Sequence, residues 1–162
     1  MHMHIRYKSI FICITTACIF IFSCNTQTTV KEGVQKQALP LQGTWKLLKG
    51  IVVDKGDTTV TDYSGNKSFI KIINDSHFAF LLHDVNKSKD SLAAFSAGGG
   101  RYSLKDSLYT EHLEYCSDRQ WEGNDFTFTI NIGNDTLTQT GIEKIEGTDV
   151  NRLNKEIYVR EK

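Results

Sequence analysis

Phe126-Thr127-Phe128-Thr129-Ile130-Asn131-Ile132 alternates large apolar and short polar side chains without a break. Successive side chains of an extended chain point to opposite faces, so the even positions share one apolar face. This is the pattern of a half-buried strand. Working outward, Phe78, Phe80 and Leu82 repeat it, and Ile70 and Ile72 fall on one face with Lys71 between them. Tyr109, Glu111, Leu113 and Tyr115 share a face, opposite Thr110, His112, Glu114 and Cys116.

Short turn signals separate these runs: Asp54-Lys55-Gly56-Asp57, Ser64-Gly65-Asn66, Asn74-Asp75-Ser76, Lys105-Asp106 and Gly133-Asn134-Asp135. Their residues tolerate turn geometry. Asp90-Ser91-Leu92, Asp106-Ser107-Leu108 and Asp135-Thr136-Leu137 each read as a turn feeding a strand whose leucine takes the first inward position. No long stretch has helical periodicity with caps, although 85–94 could form a short helical turn or a lid loop. About eight or nine strands joined by short connections predict an all-β, antiparallel up-and-down meander closing into a barrel. Closure removes exposed sheet edges.

Leu41-Gln42-Gly43-Thr44-Trp45-Lys46-Leu47 opens this region. Its Gly-x-Trp on a first strand resembles the start of lipocalins and related calycin barrels. Gly98-Gly99-Gly100-Arg101-Tyr102-Ser103-Leu104, Tyr109 to Tyr115, Asp135-Thr136-Leu137-Thr138-Gln139 and Glu156-Ile157-Tyr158-Val159-Arg160 are similar to a lipocalin-like family of exported proteins common in Bacteroidetes. The resemblance covers most of the chain from Leu41 onward and implies a fold, because that family is largely without assigned function. It also implies that Arg160, on the last strand, packs over Trp45 and closes one end of the barrel, a cation–π contact that contributes ~0.5–2 kcal/mol.

The N-terminus gives an address. Arg6 and Lys8 precede an uncharged, mostly apolar run from Ile10 to Phe22. A basic n-region followed by ~7–15 apolar residues describes a secretory signal peptide, and a membrane span would want ~20. Ile21-Phe22-Ser23-Cys24 resembles the lipobox of bacterial lipoproteins, which implies cleavage before Cys24 and acylation of its thiol. Residues 1–23 are thus expected to be the leader, 24–40 the lipidated cysteine and a polar tether, and 41–162 the barrel. Asn25-Thr26-Gln27-Thr28 lacks the acidic cluster of surface-exported lipoproteins, so the expected location is the cell envelope, on the outer membrane and facing the periplasm.

Loss of the leader takes the 19 Lys and Arg down by Arg6 and Lys8 to 17 against 19 acidic residues. That balance argues against nucleic acid, which wants a concentrated basic footprint. Cys116 is the one cysteine left besides Cys24, so no internal disulfide framework is expected. It reads as a small buried hydrophobe.

Gly98 to Gly100 invite a phosphate-loop reading, but the Lys-Ser/Thr and helix that must follow are missing; a bend or bulge is expected instead. His112 and Glu114 lack a clear third metal ligand, though His77 or His83 could join them. Glu111 has no second carboxylate on its own strand face for glycosidase chemistry, and there is no Gly-x-Ser-x-Gly elbow. No catalytic residue, metal or cofactor is therefore expected. The expected partner is a small apolar or amphipathic molecule, with the membrane engaged through the lipid anchor. Phe78, Phe80, Tyr102, Tyr109, Leu113, Tyr115 and Phe128 would line the pocket, with Glu111 and Gln139 fixing polar groups. Glu111 could instead pair with a buried Arg such as Arg101. The alternative is a non-catalytic envelope interaction module whose barrel is packed solid.

Overall fold

The computed structural model describes residues 40–87 and 94–162. The leader, Cys24, the tether through residue 39 and the 88–93 stretch, which includes Leu92, lie outside the described residues. The strands are β1 (Gly43–Asp54), β2 (Asp57–Asp62), β3 (Lys67–Ile73), β4 (His77–Asp84), β5 (Phe95–Lys105), β6 (Leu108–Cys116), β7 (Asn124–Gly133), β8 (Thr136–Lys144) and β9 (Asn151–Arg160). A single 3-10 turn, Arg119–Trp121, is the helical element among the described residues.

All pairings are antiparallel, and the sheet closes where β9 returns to β1 along Trp45–Asp54. The two halves of β1 have different neighbours on its other side: Gly43–Lys46 pairs with β3, and Lys49–Asp54 pairs with β2. Eight strands therefore make the ring, with β2 continuing one wall. The expected up-and-down barrel is the observed fold.

The turn chemistry works as its residues require. Asn134 and Asp135 both take positive φ, 49° and 58°, between the paired ends Gly133 and Thr136. Two left-handed residues in a two-residue loop match the twist of a hairpin. Leu137 follows as an inward, buried residue, as expected. Leu108 does not: it is half exposed, because the next residue, Tyr109, takes the inward place.

β7 supplies the inner face read from its alternation. Phe126, Phe128 and Ile130 are buried in one core with Trp45, Leu47, Phe78, Tyr109, Leu137 and Tyr158. β6 departs from simple alternation. Gly99 pairs with Tyr115 and Gly100 with Leu113, leaving Glu114 as the extra residue of a bulge. Past the bulge every side chain changes face. Tyr115 consequently turns outward, 68% exposed, rather than joining Tyr109, Glu111 and Leu113, and Cys116 turns inward.

The glycine run permits this arrangement. A Cβ at Gly98 would lie 2.5 Å from the Phe80 ring, and one at Gly100 would run into the His112 carbonyl. The expected bulge is present.

Candidate functional site

One end of the barrel is packed shut. Trp45 is fully buried and donates from Nε1 to the Leu41 carbonyl at 2.8 Å. The Arg160 guanidinium lies 4.1 Å from the Trp45 ring centre and donates to the carbonyls of Gln42 and Pro40 at 2.7 and 2.6 Å. Gly43 has φ 136°, and a Cβ there would stand 2.5 Å from Arg160 Nη1. The Trp–Arg contact implied by the family resemblance is the geometry observed.

Above this plug lies a polar layer. Lys71 Nζ donates to Glu111 Oε1 at 2.7 Å and to Gln139 Oε1 at 3.1 Å. Glu156 Oε2 lies 3.8 Å from the same ammonium and accepts from the Tyr158 hydroxyl at 2.7 Å. The Lys71 ammonium also sits 5.3 Å from the Tyr158 ring centre. Glu111 therefore pairs with Lys71 and not with Arg101, which faces outward and donates to Glu114 at 2.7 Å.

Burial alone would push the Lys71 ammonium toward its neutral form, but Glu111 and Glu156 outweigh that and hold its pKa above the usual 10.5. Burial pushes the Glu111 carboxyl above its usual 4.5, with the Lys71 charge and hydrogen bond opposing it. The Tyr158 hydroxyl is raised well above 10, first by burial and then by Glu156. Burial likewise raises Tyr109, whose hydroxyl faces Glu111.

Beyond this layer the barrel opens into a cavity of about 300 Å³. Its lining mixes aromatic and polar side chains. Tyr63, Phe69, Phe80, Trp121 and Phe126 are aromatic members of that lining, with the Phe69 and Phe80 rings stacked at 5.7 Å. Among the polar members, Glu143 accepts from Arg152 Nε and from Asn154 Nδ2, both at 2.7 Å. The Arg152 guanidinium lies 5.0 Å from the Trp121 ring centre, near the mouth.

Of the residues expected to bind a ligand, Phe80, Glu111, Leu113, Phe128 and Gln139 reach this cavity. Phe78, Tyr102 and Tyr109 instead pack together beneath it, with Phe78–Tyr109 and Tyr102–Tyr109 ring centres 6.5 and 5.3 Å apart. Tyr115 is outside.

Sequence reasoning missed Lys71, Glu143, Arg152, Asn154 and Glu156. The misleading signal was apolarity: on β9 Arg152, Asn154, Glu156 and Tyr158 face in, and the opposite face carries Leu153, Lys155, Ile157 and Val159. A usable signal existed in the Trp45–Arg160 contact. Stepping back by twos from Arg160 names every inward residue of β9.

His112 Nδ1 lies 2.8 Å from Asp125 on the outer face. Among the described residues no group of three or more His, Cys, Asp or Glu is placed to hold a metal ion.

No family model and no curated protein matches this chain. A solved structure of an uncharacterized protein from Bacteroides eggerthii is similar at 13% identity and a TM-score of 0.43, covering 74% of this chain and 98% of that one.

Proposed function

We propose that this protein is a lipid-anchored, lipocalin-like member of the cell envelope that binds or carries a small amphipathic molecule without transforming it. Cys24 would hold it to the outer membrane, facing the periplasm. The observation that carries the reading is the division of the barrel: a solid half around Trp45, and an open half of about 300 Å³ lined by both aromatic and polar side chains. That volume is at the lower end of small-molecule sites, and the combination of apolar walls with a few convergent polar groups is typical of them. A purely apolar guest would shield Glu143, Asn154 and Glu156 from water without offering their remaining polar valences a partner. Glu111, Glu143 and Glu156 each already accept a hydrogen bond from the protein, an arrangement suited to holding rather than reacting.

Native mass spectrometry on protein purified from the envelope that makes it tests this. A co-purifying small molecule, lost on Trp121→Ala, is expected, and an acyl mass on the Cys24 peptide tests the anchor. A clean apo mass after exposure to lipid extract would count against binding. It would favour the interaction module, for which one observation speaks: Ile72, Ala79, Gly99 and Tyr115 form a continuous outward row across β3 to β6 with no charged side chain.

A further inference from the structure

The charges lining the cavity do not balance. Its two cations are each committed: Lys71 to Glu111, and Arg152 to Glu143, both at 2.7 Å. Glu156 and, at the rim, Asp118 are left over as lining carboxylates. Glu156 has the Tyr158 hydroxyl and only a distant share of Lys71, at 3.8 Å. A third acid stands close by in sequence register: Asp54, opposite Arg152, buries Oδ1 with no hydrogen-bond partner.

The same cavity is lined by aromatic rings, Phe69, Phe80 and Trp121 among them. Rings attract cations through their faces, more strongly when water is excluded, and the protein already uses that preference twice in this region, with Lys71 against Tyr158 and Arg152 against Trp121. An anionic head would meet uncompensated carboxylates in a partly desolvated space, where like charges repel more strongly than in water. The cationic donors that line the cavity are Lys71 and Arg152, and the charge of each is already offset by a carboxylate.

We infer that the cavity selects an organic cation, a small amine or ammonium on an aromatic or short aliphatic body, with its charge at Glu156 and its body against Phe69, Phe80 and Trp121. This rests on the small-molecule reading above and adds the charge of the ligand to it.

Three probes with nearly the same body separate the outcomes: 2-phenylethylamine, 3-phenylpropanoate and the neutral 3-phenylpropan-1-ol, each titrated calorimetrically into the full chain at neutral pH. The amine is expected to bind at least about tenfold more tightly than either of the others. Glu156→Gln, which keeps a hydrogen-bond acceptor for Tyr158, is expected to erase most of that preference. Glu114→Gln, on the outer face beside Arg101, should leave it unchanged. The wild-type comparison stands even if the Glu156 variant folds poorly. Equal or tighter binding of the acid or the alcohol would overturn the charge assignment and leave the small-molecule site intact. Failure of all three probes to bind at millimolar concentration would overturn both. An amine preference that survives Glu156→Gln in a folded variant would overturn the role given to Glu156.

Discussion

Lys71 is the residue on which the interior turns. It sits between Ile70 and Ile72, yet its side chain is 2% exposed while Ile72 is 42% exposed. Desolvating an ammonium is costly, and the pairing with Glu111 recovers that cost only while both partners remain. Lys71→Met should therefore destabilise by about 3–5 kcal/mol, because Glu111 is left buried beside an apolar chain. Adding Glu111→Leu should recover most of that loss, and urea unfolding of the two variants checks it. No recovery would show that the carboxylate supports the fold in another way. The same cluster sets the alkaline limit. The phenols of Tyr109 and Tyr158, ordinarily near 10.0, and the Lys71 ammonium, ordinarily near 10.5, all hold their protons more tightly in the folded chain. Above those ordinary values the unfolded chain releases protons that the folded chain keeps, so stability falls as pH rises. Melting temperature should be insensitive to these groups below about pH 10 and drop progressively above it.

At the scale of the element, the meeting of β5 with β6 decides which side chains see the cavity. The bulge at Glu114 sends Tyr115 out and Cys116 in, and the glycines opposite let β4, β5 and β6 approach closely. A methyl at Gly100 has backbone, not a flexible side chain, in its way. Gly100→Ala is therefore expected to cost at least ~1–3 kcal/mol, the range for overpacking. Thermal unfolding reads this, and an unchanged melt would show that the bulge can shift. The glycine run and the turns at Asn134-Asp135 were legible in the sequence, because their backbone demands are local. The bulge position was not: Tyr109 to Tyr115 alternates smoothly, and only the register against β5 reveals the extra residue.

For the whole molecule, closure matters most. β1 is flanked on both sides, by β9 along most of its length and by β3 or β2 on the other edge. Amides of β1 and β9 should resist hydrogen exchange like core strands, whereas β2, exposed at most positions and paired only with β1, should exchange faster. Fast exchange along β9 would mean an open sheet. Trp45→Ala removes the plug under Arg160 and should cost ~3–5 kcal/mol, seen as a much lower melting temperature.

The fold class and the strand and turn pattern were legible in the sequence alone, and the Trp45–Arg160 end came from the family resemblance. The strands and turns rest on period-two patterning and on turn residues, which act over a few neighbours, whereas no local pattern joins Trp45 to Arg160. Only the tertiary structure decided the character of the interior. Lys71, Glu111, Gln139 and Glu156 come from four strands, and each alone would be read as a surface residue or an isolated buried one. Their burial is tolerable because closure of the ring brings Lys71 within hydrogen-bonding reach of Glu111 and Gln139 and within 3.8 Å of Glu156, a condition that no single strand can express.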